Sequence, residues 1–206
     1  MILHWGTDFE TTPREKDPSR FSLWYKELGI KRVFITPDVN YACAVHADKW
    51  IPILPNTDAA LLLAIAYDWI VEGTYDKEYV ATHTFGFDKF CDYVLGKEDN
   101  IPKSPAWASP ITGVDEWTIH ALAKQWATKI TSIVKFGGGG MIRGPFSSEP
   151  ARLEVLCLAM QGVGRPGQHQ CWPTAGIPLP LVSPDCSRAA PFRALPWMKQ
   201  LISKVF

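Results

Sequence analysis

The stretch NTDAALLLAIAYDWIVEG, residues 56 to 73, constrains the fold more than any other. Its apolar residues run nearly all the way round a helix, so it keeps no face for water. Such a helix has to be covered on every side, which calls for a layered domain and is expected to set the helix against a sheet. Asn56 or Thr57 is the N-cap, Asp58 complements the dipole in the first turn, and Gly73 ends the helix. The purely apolar part, AALLLAIAY at 59 to 67, is far below the roughly 20 residues of a membrane helix, so no membrane insertion is expected.

The sheet strands are legible on either side. ILHW (2 to 5) is a short apolar strand ended by Gly6, KRVFITP (31 to 37) is a β-branched and aromatic run halted by Pro37, and TSIVKF (131 to 136) is a third. DKWIPIL (48 to 54) is a further strand whose Pro52 implies an edge position. Helices alternate with them: RFSLWYKELG closed by Gly29, then DKEYVATHT and FDKFCDYVLG, then DEWTIHALAKQWATK with Ile119, Leu122, Ala123 and Trp126 on one face. Ser147 or Ser148 caps a last one, EPARLEVLCLAMQGVG, in which Leu153, Leu156, Cys157 and Met160 share a face. Strands separated by helices predict an α/β domain with a mainly parallel sheet, whose ligands lie beyond the carboxyl ends of the strands. From Gly164 prolines become frequent without a sustained period, and residues 167–206 are expected to be an irregular extension after a domain of 1–166, with a short helix at MKQLISKVF.

Charge narrows the partners. Lys+Arg and Asp+Glu are both 21, so the chain carries no net charge, presents no basic face, and is not expected to bind nucleic acid. A phosphate site would rely on backbone donors. Cys43, Cys91, Cys157, Cys171 and Cys186 form an odd set without a C-x-x-C pair, which argues against a disulfide framework and against a zinc or iron-sulfur site in this segment. With no signal-peptide pattern at MILHWGTDF the setting is expected to be cytoplasmic, or periplasmic if a leader has been lost.

Three loops after strands are therefore the places for a nucleotide. In HWGTDFETTP, Gly6 permits close approach, Asp8 suits ribose hydroxyls or a base amine, and Thr11 and Thr12 offer hydroxyls; alternatively Asp8 or Thr12 caps a turn and Trp5 packs in the core. In ITPDVN, Thr36, Pro37 and Asp38 close a strand, where an acidic residue takes ribose hydroxyls in many dinucleotide folds or forms an Asx turn. Asp58 either meets a guanine amine edge or only answers the helix dipole.

The third loop is GGGGMIRG, 137 to 144. Gly139 and Gly144 have P-loop spacing, but Pro145 and Phe146 stand where Lys and Ser or Thr are required. Met141 and Ile142 break the G-x-G-x-x-G fingerprint, so neither an NTPase nor a nicotinamide dehydrogenase is indicated. Gly138 and Gly139 remain as clearance for a bulky cofactor, with Arg143 the charge of the run, facing a cofactor phosphate or a nearby carboxylate. His4, His46, His83, His120 and His169 are dispersed without metal spacing. His169 and Cys171, after a Gly-Pro-Gly turn, line a site or merely decorate a loop.

The order of HWGTDFETTP, GIKRVFITPDVNYACAVHADKWIPILPNTDAALLLAIAYDWIVEG, TYDKEYVATHTFGFDKFCDYVLG, ITGVDEWTIHALAKQWA and LAMQGVGRPG resembles the large-subunit family of molybdenum and tungsten enzymes with two molybdopterin guanine dinucleotides, the dimethyl sulfoxide reductase superfamily. The flavour of WGTDFETTP and PNTDAAL is most similar to the branch containing pyrogallol hydroxytransferase and acetylene hydratase. The resemblance implies a Rossmann-like three-layer domain that grips one guanine dinucleotide. Trp5, Gly6, Asp8, Thr12, Thr36, Pro37, Asp38, Asn56, Asp58, Gly138, Gly139 and Arg143 would then face the cofactor. Asp8 stands where the family commonly has Asn, Thr36 replaces the Asp of its D-P-R stretch with Asp38 at the Arg position, and Thr57 and Asp58 match its G-T-D. It further implies a metal ligand and any iron-sulfur cluster outside this segment, the remaining domains of a large subunit and an iron-sulfur electron-transfer subunit as partners, and either redox or non-redox hydroxytransferase or hydratase chemistry. As a fragment of such an enzyme the segment is expected to be inactive alone. A cofactor-free α/β interaction module, its glycines only packing a loop, is the competing reading.

Overall fold

The ILHW run forms β1 (Ile2–Trp5) at the centre of a parallel sheet, between β2 (Arg32–Thr36) and β4 (Ser132–Val134). Two more strands, β3 (Lys49–Pro52) and β5 (Gln170–Cys171), extend the sheet to the order β3-β2-β1-β4-β5. The computed structural model describes residues 1–11, 17–135, 143–168 and 170–171, all within the unit Met1–Thr174. Thr12, Gly138, Gly139, His169 and the Pro-rich stretch from 172 onward lie outside the described residues.

Every residue of β1 and β2 is buried, as a parallel sheet covered on both faces requires. Period-2 alternation sorts the side chains. Leu3, Trp5, Val33, Ile35, Ile51 and Ile133 join the large core on one face. His4 lies against Phe9 and Phe34 on the other face, where Phe9 and Phe34 form a smaller core with Ala42 and Cys43. Helices α1 (Asp17–Glu27) and α2 (Tyr41–His46) connect β1 to β2 and β2 to β3.

Five helices separate β3 from β4: α3 (Asp58–Glu72), α4 (Lys77–His83), α5 (Phe87–Val94), α6 (Pro105–Thr112) and α7 (Glu116–Thr128). The eighth, α8 (Ser148–Met160), precedes β5. The all-round apolar α3 is enclosed as its composition demands: Ala60 to Ala66 and Trp69 are buried, and α5, α6, α7 and α8 pack around it. Trp69 meets Trp126 of α7 edge to face at 5.0 Å and donates its indole N–H to the Ala123 carbonyl at 2.9 Å. Three-layer α/β architecture, the parallel sheet and the edge position of Pro52 all agree with the sequence.

Three elements escaped the sequence reading. Helix α2 is only six residues, capped by Asn40, whose Oδ1 accepts the Cys43 N–H at 2.9 Å. Helix α6 hides in a proline-rich stretch: Pro105 takes the first turn, where a missing N–H costs nothing, and Ser104 accepts the Trp107 N–H at 3.3 Å. Strand β5 is two residues long and visible only through its pairing with Ile133 and Val134. Ser147 does occupy the N-cap of α8, but its hydroxyl makes no cap hydrogen bond.

Candidate functional site

Strand order reverses at β1: β2 and β3 lie to one side, β4 and β5 to the other. In open α/β sheets a crevice forms beyond the carboxyl ends of the strands at such a reversal, because the two flanking connections leave in opposite directions. Here the loop leaving β1 borders it, and the loop leaving β2 is adjacent.

In the loop after β1, Gly6 has φ 59°, a conformation that costs glycine little. Its amide donates to the Ile35 carbonyl at 2.9 Å. Thr7 is buried, and its hydroxyl has no hydrogen-bond partner among the described residues. Asp8 turns inward to its own loop, accepting from the Glu10 and Thr11 amides at 3.1 and 3.3 Å, from the Thr11 hydroxyl at 2.6 Å, and from the Ala42 amide of α2 at 3.2 Å. Burial alone would raise its pKa; these hydrogen bonds outweigh it and hold the carboxyl below its ordinary range. Asp8 therefore organises a turn and ties it to α2. Next to it, Glu10 Oε1 meets the buried His46 at 2.5 Å.

Trp5 is fully buried and donates its indole N–H to Oδ1 of Asp58 at 2.7 Å, joining the end of β1 to the start of α3. Asp58 is itself 7% exposed, and burial raises its pKa despite the indole. Helix-dipole placement was visible in the sequence; the tryptophan partner, 53 positions away, was not.

At the end of β2 the Thr36 hydroxyl is spent on the Asp38 carbonyl at 2.7 Å, and the Thr36 carbonyl accepts the Trp50 indole N–H at 3.1 Å. Pro37 and Asp38 are exposed, and the Asp38 carboxylate makes no hydrogen bond or ion pair among the described residues. Asn56 has left-handed backbone, φ 64°, and presses against the loop after β4: a Cβ on Gly144 would lie 2.3 Å from Asn56 Oδ1. Arg143, beside that glycine, is exposed. The fold thus joins Trp5 with Asp58 and Asn56 with Gly144; Asp8 and Asp58 serve two separate local networks, and the Asp38 carboxylate belongs to neither.

One charged pair went unnoticed in the sequence. Lys135, the residue after β4, and Glu154 of α8 form an ion pair with the carboxylate fully buried and Lys135 6% exposed. Burial raises the pKa of Glu154 against the pull of Lys135, and burial followed by the Glu154 charge pushes the Cys157 thiol up. The signal was a lysine ending an apolar strand and a glutamate beside Leu153 on the buried face of α8. Among the described residues no group of His, Cys, Asp and Glu is arranged to hold a metal, and no helix is long and apolar enough to cross a membrane.

No protein-family model matches the chain. Individual relatives do. It is 42% identical over 185 residues to the pyrogallol hydroxytransferase large subunit of Pelobacter acidigallici, covering 87% of this chain and 21% of that protein. It is 35% identical over 174 residues to trimethylamine-N-oxide reductase of Haemophilus influenzae, covering 81% of this chain and 21% of the relative. Among solved structures, acetylene hydratase from Pelobacter acetylenicus matches with a TM-score of 0.56 and 25% identity over 77% of this chain and 20% of that one. The chain spans about a fifth of the length of these relatives. Identity of this order across most of its residues, on a shared architecture, means that the chain belongs to the dimethyl sulfoxide reductase superfamily of molybdopterin enzymes.

Proposed function

We propose that this segment holds the guanine nucleotide of one molybdopterin guanine dinucleotide in a molybdenum or tungsten enzyme. The observation that carries the reading is the reversal of strand order at β1, bordered by a left-handed Gly6, a buried Thr7 hydroxyl without a partner, and an exposed Asp38 at the end of β2. This donor set suits a nucleotide: an uncommitted carboxylate accepts ribose hydroxyls, and a free hydroxyl and close backbone suit a phosphate. Asp38 replaces Asp8 as the first candidate for the ribose, since Asp8 is committed to its own turn. Asp58 acts through Trp5, fixing the floor of the crevice.

Residues 1–166 would form the nucleotide-holding domain and 167–206 an extension whose Gln170–Cys171 completes the sheet edge. When bound, the metal and pterin supply oxygen-transfer or hydration chemistry; this chain's residues bind and orient the nucleotide end. The other domains of a large subunit and an iron-sulfur subunit are the partners this reading implies, in the cytoplasm or periplasm.

Titrating the chain with guanosine diphosphate tests it. Binding is expected, weakened about tenfold or more by Asp38→Ala, as loss of a hydrogen bond to a charged acceptor implies. A folded chain that ignores the nucleotide would favour the cofactor-free interaction module instead, which the internal use of Asp8 and Asp58 also accommodates.

A further inference from the structure

A groove of about 560 Å³ opens on the helical side of the domain, between the start of α3, α5 and the start of α8. Its floor is Leu63, Leu153 and Leu156, and its aromatic wall is Phe90, Tyr93 and Phe146. The volume lies within the roughly 300–1,000 Å³ of small-molecule sites.

Phe146 is held in left-handed backbone, φ 57°, and leaves its ring 85% exposed at the groove. Both are unfavourable for a bulky residue: the backbone is strained, and the ring recovers little by packing. Asn56 on the facing loop is left-handed too, and the two loops are keyed together where its side chain fills the space a Cβ on Gly144 would need. Strained residues persist where the surroundings over-determine them, and such places are often ligand sites. At the rim, Lys89 has no ion-pair partner among the described residues, while Arg152 shares Glu149 at 3.1 Å. The walls are therefore aromatic and aliphatic, and the rim carries one cation in excess.

We propose that this groove is a second binding site, separate from the strand-end crevice, for a small planar aromatic molecule bearing one anionic group, its ring against Phe146 and its anion toward Lys89. The inference stands apart from the nucleotide reading.

Calorimetric titration of the chain with 2-naphthoate, with the neutral 2-naphthalenemethanol, and with the non-planar cyclohexanecarboxylate tests it. The naphthoate is expected to bind at least fivefold more tightly than either analogue. Lys89→Met should abolish the preference over the neutral analogue without changing the unfolding temperature. Phe146→Gly should weaken binding at least fivefold while leaving the unfolding temperature unchanged or raised, a combination a purely structural ring would not produce. Guanosine monophosphate should not compete. Absence of binding at millimolar naphthoate, equal binding of all three compounds, indifference to both variants, or competition by the nucleotide would each overturn the proposal.

Discussion

His4 is a titratable side chain held almost entirely out of water. Its ring stacks on Phe34 at 4.4 Å, and neither nitrogen has a hydrogen-bond partner among the described residues. Burial, then the nearby His46 and Arg32 charges, lowers its pKa from 6.5 to about 3. Between those values the unfolded chain takes up a proton that the folded chain refuses, so stability is lost as pH falls from 6.5 toward 3. The limiting slope is about 1.4 kcal/mol per pH unit. His4→Phe keeps an aromatic ring on Phe34 and should flatten that acid limb, as urea unfolding followed across the pH range would report. Asp58 has the opposite sign: its carboxyl is raised by burial, so its contribution is greatest below 3.8 and is lost as pH rises through the raised value. Asp58→Asn keeps an acceptor for the Trp5 indole and should match or exceed the parent at neutral pH. Asp58→Ala strands a buried donor and should cost about 1–3 kcal/mol by the same unfolding measurement. In sequence His4 reads as one of five dispersed histidines and Asp58 as a helix-dipole acid or guanine-edge candidate; their partners, Phe34 and Trp5, are brought by pairing and packing from distant positions.

At the scale of elements, most boundaries follow from local chemistry. Helix α3 stops at the left-handed Gly73, and α5 is followed by Gly96 at φ 77°. Gly96 also has no room: a Cβ there would lie 2.5 Å from the Ile101 carbonyl carbon and from the Pro102 nitrogen. At Gly29, φ 68°, a Cβ would meet nothing within 4 Å. Gly29→Ala should therefore cost only the backbone term of about 1–2 kcal/mol, and Gly96→Ala distinctly more, compared by denaturant midpoints. Long periodic helices and β-branched strands were legible because each carries its own pattern. Helices α2 and α6 were not: one is too short to show a period, and the other carries Pro110 inside and is specified by the Ser104 cap and by packing against α3 and α7.

For the whole molecule, the Lys135–Glu154 pair joins the end of β4 to α8 across the connection that contains the glycine run. Removing one partner leaves a buried charge, so Lys135→Met should cost about 3–5 kcal/mol in urea unfolding, whereas an apolar replacement of both residues should be nearly neutral or stabilising. If the pair also positions the crevice, the double variant would bind guanosine diphosphate less well despite its stability. The candidate site was legible only in outline. Glycine at the end of β1 and an acid after β2 mark loops at the carboxyl ends of the strands, since turn chemistry is local. Which acids remain available was decided by folding, which commits Asp8 to α2 and Asp58 to Trp5 and leaves Asp38 exposed.

The amino-acid pattern by itself determined the layered α/β class, the buried central helix and the parallel strands, because hydrophobic period and capping residues act within a few positions. Strand order with its reversal at β1, the Asn56–Gly144 interlock and the Lys135–Glu154 pair were decided only in the tertiary structure. Each depends on contacts between residues far apart in the chain, whose energies appear only when distant segments are packed together and water is excluded between them.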